Sequence, residues 1–162
     1  MNQFKINNYS HMQKVILFFI LIQVSLLING QESKDLSLTF NHIALSVKDV
    51  NVSEKFYTTV LNLKPIPLPL EAKDVKWMSL GDGKELHLLS VLKDDIKTNK
   101  AIHLAFSTAN FDAFVQLLTT MNIAYSDFPG NLNKINVRPD GIQQVFFQDP
   151  DGYWIEVNSI NE

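Results

Sequence analysis

Histidine occurs four times in this chain, at His11, His42, His87 and His103, and the last three fall into one repeated pattern. His42 lies in NHIALSV (41–47) and His103 in IHLAFST (102–108), two stretches that share the order His, apolar, Ala, apolar, Ser. His87 lies in GDGKELHLL (81–89), which aligns with PDGYWIEVN (150–158) so that Asp82 meets Asp151, Gly83 meets Gly152 and His87 meets Glu156. Glu156 stands between Ile155 and Val157 in what reads as a buried strand. An ionised carboxylate is costly there unless it is paired or bound to a cation. A single His is more often an ordinary hydrogen-bonded core residue, and a single strand Glu usually faces solvent. The symmetric placement of all four is what points to a metal site. Three imidazoles and a carboxylate suit Zn, Ni, Fe or Mn better than Ca or Mg. Glu156 is the candidate catalytic base, and Glu85, on the same strand face as His87, is a weaker one.

The elements that position these residues repeat as well. Each His-x-Ala-x-Ser stretch is followed by a helical pattern, over 52–63 and over 111–121, with Ser53 and Asn110 as candidate N-caps. Asn62 and Asn122 stand near the helix ends, where Asn tolerates the left-handed conformation. Each Asp-Gly pair marks a hairpin turn between apolar strands. The pattern predicts an α+β protein made of two copies of strand, helix and about three strands. Module one spans 40–92 and module two 100–159, within a domain over 40–160. The joining segment 93–100, KDDIKTNK, is polar and expected to be exposed. KPIPLPL (64–70) fits an edge strand or loop better than a central strand. Segment 128–141, with Pro129-Gly130 and Pro139-Asp140-Gly141, is expected to be mostly loop and turn.

Strand alternation then sorts the faces. Ile43, Leu45 and Val47 share one face of the first strand, while His42, Ala44 and Ser46 share the other. Leu104 and Phe106 likewise oppose His103, Ala105 and Ser107. Glu85, His87 and Leu89 oppose Leu86 and Leu88, and Trp154, Glu156 and Asn158 oppose Ile155 and Val157. The bulky faces take the helices. The other faces carry the ligand types and small residues, which leave room for a small molecule.

Composition narrows the classes. The chain has 162 residues and a formal charge of −3, with no clustered Lys/Arg face, so no nucleic-acid partner is expected. Cysteine is absent, which removes disulfides, thiolate ligands and a Cys nucleophile. At the N-terminus, 15–28 reads VILFFILIQVSLLI after Lys5 and Lys14, with Gly30 just beyond. A cationic flank, a short apolar run and a small residue describe a signal peptide, assigned to 1–31 and followed by a linker over 32–39. The run is shorter than the about 20 residues of a bilayer span. A retained anchor is the rival reading, and Met12 is an alternative start. The expectation is an exported protein, periplasmic or secreted, without a stable membrane anchor after cleavage.

NHIALSV, EKFYTTVLNL, ELHLL, IHLAF and QDPDGYWIEV together resemble the recurring segments of the vicinal oxygen chelate superfamily, over 40–159. That superfamily includes glyoxalase I, fosfomycin thiol transferases, extradiol dioxygenases and bleomycin-resistance proteins. The resemblance implies paired βαβββ modules forming a curved mixed-sheet cup, helices on the outer face, around a divalent metal. Its ligands, from the first and last strands of each module, carry over to His42, His87, His103 and Glu156. It also implies a small-molecule substrate and a homodimer, the cup lying within one chain or between two. Phe56, Tyr57 and Leu61 match helix-packing positions and are read as core.

The leading chemistry is glyoxalase-like isomerisation or lyase chemistry of the lactoylglutathione lyase kind. His87 stands where glyoxalase I usually has a carboxylate, which removes one of two metal-bound bases. The alternatives are an extradiol dioxygenase using His42, His103 and Glu156, a fosfomycin-type thiol transferase, and a metal-free binder of small molecules. A phosphonate substrate wants several cations, and the single arginine, Arg138, is thin for that. Candidate substrate contacts are Arg138, Trp154 and Gln144 (or Gln143). The plainer roles are a surface arginine before a turn and a core tryptophan. Trp77 and Trp154 could stack a planar ligand.

Overall fold

The structure is a computed structural model, and it describes residues 36–68, 72–91 and 96–160. The proposed signal segment lies outside the described residues. Among those described, no helix is long and apolar enough to cross a membrane. The compact unit begins at Phe40.

The architecture is α+β, two βαβββ modules with an additional short strand in the second. Module one runs β1 (His42–Ser46), α1 (Val50–Val60), β2 (Lys64–Ile66), β3 (Val75–Gly81) and β4 (Lys84–Leu89). Module two runs β5 (His103–Ser107), α2 (Phe111–Thr120), β6 (Tyr125–Ser126), β7 (Asn136–Val137), β8 (Gln143–Gln148) and β9 (Trp154–Asn158). The first sheet has the order β1-β4-β3-β2, with β1 and β4 parallel and the other pairs antiparallel. The second has the order β5-β9-β8-β6, with β7 also paired to β8 and with β5 and β9 parallel. A parallel first and last strand follows from the helical crossover that starts each module. The two sheets are open and remain separate.

Alternation holds in both. Leu45, Val47, Leu86, Leu88 and Met78 are buried in module one, and Val145, Phe147, Ile155 and Val157 in module two. The helices cover these faces: Tyr57 of α1 is fully buried, and Phe56 meets Phe147 across the modules at 6.4 Å between ring centroids. On the opposite faces, His42, Ala44, Ala105 and Ser107 are exposed.

Several local expectations are met. Asn62 and Asn122 adopt left-handed φ of 53° and 55°. Asp82 and Gly83 turn at φ 48° and 70°, as a two-residue hairpin with both central residues left-handed requires. Segment 64–66 is an edge strand. Two expectations need correction. The N-cap of α1 is Asp49, not Ser53: its carboxylate accepts from the N–H groups of Asn51 and Val52, so the helix starts earlier. Ser53 lies inside the helix and donates to Asp151 Oδ2 at 2.8 Å. The joining segment is not simply exposed, because Lys100 is half-buried and fully engaged in hydrogen bonds.

Buried polar groups join the modules. Tyr57 donates to Asp149 Oδ2 at 2.7 Å, Lys48 N–H donates to Asp151 Oδ1 at 2.8 Å, and Tyr153 donates to the Ser46 carbonyl at 3.0 Å. Burial pushes the Asp149 carboxyl above the usual carboxylate value, although Tyr57 and the N–H groups of Asp151 and Tyr153 oppose the shift. Burial, followed by the nearby Asp149 charge, raises the Tyr57 phenol well above its ordinary range. The turn that carries β9 is thereby held against α1.

Candidate metal centre

His103 and Glu156 come together. Ala105 is the strand partner of Glu156 and His103 that of Trp154, so the two side chains project from the same face of adjacent parallel strands. His103 Nε2 lies 3.3 Å from Glu156 Oε2. Its Nδ1 faces the Lys100 carbonyl at 2.9 Å, and a carbonyl only accepts, so Nδ1 carries a proton. In that tautomer the ring offers a lone pair at Nε2 to a carboxylate oxygen, and two acceptors at that distance repel each other unless a proton or a cation lies between them. Two ligands with bonds of about 2.1 Å on one tetrahedral cation sit about 3.4 Å apart, so the spacing fits. The other carboxylate oxygen of Glu156, Oε1, accepts from Asn158 Nδ2 at 2.8 Å, and Glu156 is only 6% exposed. This answers the burial cost: the carboxylate is oriented at one oxygen and directed to His103 at the other.

His42 and His87 also come together, but differently. Their rings stack, with centroids 4.3 Å apart and planes at 13°. Trp77, opposite His87 on β3, stacks on the other side at 4.4 Å and 10°. His42 Nδ1 donates to Asn41 Oδ1 at 2.7 Å, and His87 Nε2 donates to Glu85 Oε2 at 2.7 Å. The in-plane lone pairs of parallel stacked rings run side by side and do not converge on one point. The donor set of module two therefore fits a divalent cation as it stands, and that of module one does not until its rings turn. Among the described residues, no group of three or more His, Asp or Glu side chains gathers around one such point.

Of the candidate substrate residues, Trp154 shares the Glu156 face, with Lys100 Nζ 4.3 Å from its ring centroid. Gln144 is buried on that face and accepts from Asn136 Nδ2 at 2.7 Å. Arg138 is paired with Asp140 at 2.6 Å inside its own turn. Sequence reasoning passed over Lys100 and the orienting role of Asn158. For Asn158 a signal existed, two residues from Glu156 on the same strand face. For Lys100 there was none, since its partners Ser126, Asp127 and Phe128 are 26 to 28 residues away.

Residues 39–157 match the sequence pattern of the Glyoxalase/Bleomycin resistance protein/Dioxygenase superfamily, and the chain belongs to it. It is 29% identical over 128 residues to Glyoxylase I 4 of Arabidopsis thaliana, covering 74% of this chain and 69% of the plant protein. It is 26% identical over 122 residues to the uncharacterised protein YwbC of Bacillus subtilis, covering 72% and 93%. Its fold matches a glyoxalase/dioxygenase from Nostoc punctiforme at 27% identity with a TM-score of 0.62, covering 80% and 96% of the two chains. The fold alone also matches the oxidase ChaP-H2, at 22% identity and a TM-score of 0.65 over 78% and 96%. Members of this superfamily are mostly enzymes, bind small molecules and commonly use a divalent metal.

Proposed function

We propose that this protein is an exported, metal-dependent enzyme of the glyoxalase type, acting on a small substrate with neighbouring oxygens by isomerisation or lyase chemistry. The observation that carries this is the His103–Glu156 pair, its carboxylate buried, oriented on both sides and spaced for one cation. His103 Nε2 and Glu156 Oε2 would hold a Zn, Ni, Fe or Mn ion, with His42 and His87 completing the set. When bound, that ion would polarise the two substrate oxygens and lower the cost of negative charge on them.

The remaining steps belong to the chain's own residues. With its Oε2 free of the ion, Glu156 would take the proton from the substrate carbon bearing a hydroxyl and return it to the adjacent carbonyl carbon, while the hydroxyl proton passes to the former carbonyl oxygen, so that the net change is an isomerisation. Asn158 holds the other oxygen, so the carboxylate does not swing away. Trp154 walls one side. The exposed small residues Ala44, Ala105 and Ser107 leave space for substrate. A homodimer in which module one of one copy faces module two of the other would bring the two pairs to a single cup.

The test is elemental analysis of the isolated protein beside His103→Ala and Glu156→Ala, with size measured by light scattering. Near-stoichiometric Zn, Ni, Fe or Mn, lost in both variants of a dimer, supports the reading. Iron would favour the dioxygenase arrangement of His42, His103 and Glu156. Absence of uptake after reconstitution, with both variants folded, would leave the metal-free binder. The Trp77–His87–His42 stack, open at the exposed His42, is what supports that second reading. Export is tested by fractionating cells that express the chain with and without residues 1–31.

A further inference from the structure

Lys100 lies in the turn before β5, three residues ahead of His103, and its side chain and its backbone do different things. The ammonium has three protons to donate. It donates to Ser126 Oγ at 2.9 Å, to the Asp127 carbonyl at 3.0 Å and to the Phe128 carbonyl at 3.3 Å. It also lies over the rings of Trp154 at 4.3 Å and Phe146 at 5.6 Å. The receiving loop is itself tied: Asp127 accepts from the N–H groups of Gly130 and Asn131 and from Asn131 Nδ2. Ser126 and Phe146 are buried. One flexible stem is thus fixed at its tip by a firm socket, and the backbone at its base carries the carbonyl that accepts from His103 Nδ1.

That carbonyl decides what His103 can do. With the proton on Nδ1, Nε2 presents a lone pair toward Glu156. With the proton on Nε2, the ring donates to Glu156 Oε2, and the two would-be ligands satisfy each other. The metal-ready state needs the first tautomer, and a loop carbonyl enforces it only while it stays in place. Thr98, which donates to the Gly152 carbonyl at 2.7 Å, holds the same loop to the β8–β9 turn, not to the 126–128 loop. We propose that Lys100 is a positioning residue: by anchoring its own backbone carbonyl through the 126–128 socket, it keeps the His103 proton on Nδ1 and the Nε2 lone pair available. This rests on reading His103 and Glu156 as the ligand pair.

The experiment is long-range ¹H–¹⁵N correlation of the His103 ring in metal-free protein at about pH 8, above the ordinary imidazole range, together with zinc affinity by chelator competition. Wild type is expected to keep the Nδ1 proton. Lys100→Met, which keeps the stem and loses the donors, is expected to move a substantial fraction of the proton to Nε2. It should also weaken zinc binding about 10-fold or more, as loss of an outer partner of a ligating His does. Lys100→Arg retains donors and can stack on the indole, so it should restore both. An unchanged His103 ring signature in a folded Lys100→Met overturns the proposal. If that variant fails to fold, Ser126→Ala removes a single anchor; a partial shift of the proton supports the proposal and an unchanged ring overturns it. Should wild type take up no zinc while the proton still moves in Lys100→Met, the metal reading falls and the positioning role stands.

Discussion

His87 on β4 and Glu156 on β9 occupy equivalent places in the two modules, and each has a first-strand His beside it. In module two the neighbours point the pair at a common spot: Lys100 fixes one face of His103 and Asn158 fixes one oxygen of Glu156. In module one the neighbours draw the pair away: Trp77 flattens His87 against His42, and Glu85 occupies its Nε2. Equivalent residue types therefore do not make equivalent half-sites. What differs is the second partner of each ring, which sets tautomer and orientation. We read module two as the preorganised half and module one as the half that must rearrange when the cup is completed.

The sharpest way to break that comparison is to remove one ligand from each half. His103→Ala or Glu156→Ala should weaken zinc affinity by about 100-fold or more, near 2.8 kcal/mol. His42→Ala, taken from rings already turned aside, should cost about 10-fold, near 1.4 kcal/mol. Competition titrations on folded variants decide it. Equal losses would mean that the stack opens without cost and that the halves are alike.

The next effect concerns how module two is held at all. Tyr57→Phe removes the phenol that donates to the buried Asp149 carboxylate, and should cost about 1.5–3 kcal/mol in a urea melt near neutral pH. The pH dependence has a definite sign. Asp149 holds its proton in the folded state to higher pH than the ordinary 3.8, so its contribution to stability falls as pH rises through that window. Tyr57 lowers the Asp149 value, so losing it raises that value further. The penalty should therefore be larger at about pH 7 than at about pH 4.

How much of this was legible in the sequence follows from the range of the interactions. The βαβββ repeat, the buried faces and the alignment of His42, His87, His103 and Glu156 on the opposite faces all follow from period-two alternation, a local property. Left-handed Asn62 and Asn122 and the Asp82-Gly83 turn are local too. The partners that distinguish the halves are not. Trp77 meets His87 through antiparallel register, and Lys100 finds Ser126 through the packing of β6 on β8. The shift of the α1 cap from Ser53 to Asp49 has the same origin. Ser53 has the right chemistry for a cap, but its hydroxyl is taken by Asp151, 98 residues on.

Helix starts give a smaller contrast between the modules. Asp49 caps α1 with two N–H contacts, while Asn110 at the start of α2 makes no side-chain cap hydrogen bond. Asp49→Ala should cost about 1 kcal/mol. Asn110→Ala, which removes no cap hydrogen bond, should cost no more than about 0.5 kcal/mol, the low end for such a change. Thermal melts of the two variants side by side would show whether α1, which also carries Tyr57, depends on its local cap more than α2 does.

The smallest effect on stability is the most informative about module one. The Glu85–His87 pair is partly exposed, and such pairs contribute about 0–1 kcal/mol, so Glu85→Gln should barely move the melting curve. Its effect on metal should be larger than its effect on folding. A neutral amide holds His87 Nε2 less firmly than a carboxylate, so the ring turns toward the cup at lower cost. If Glu85 diverts His87, zinc affinity should rise by a few-fold in Glu85→Gln and fall back when His87→Ala is added. A fall in affinity in the single variant would mean that Glu85, two residues from His87 on the same strand face, is itself the ligand module one supplies. The carboxylate missing at the His87 position would then have been moved one turn of the pleat along β4.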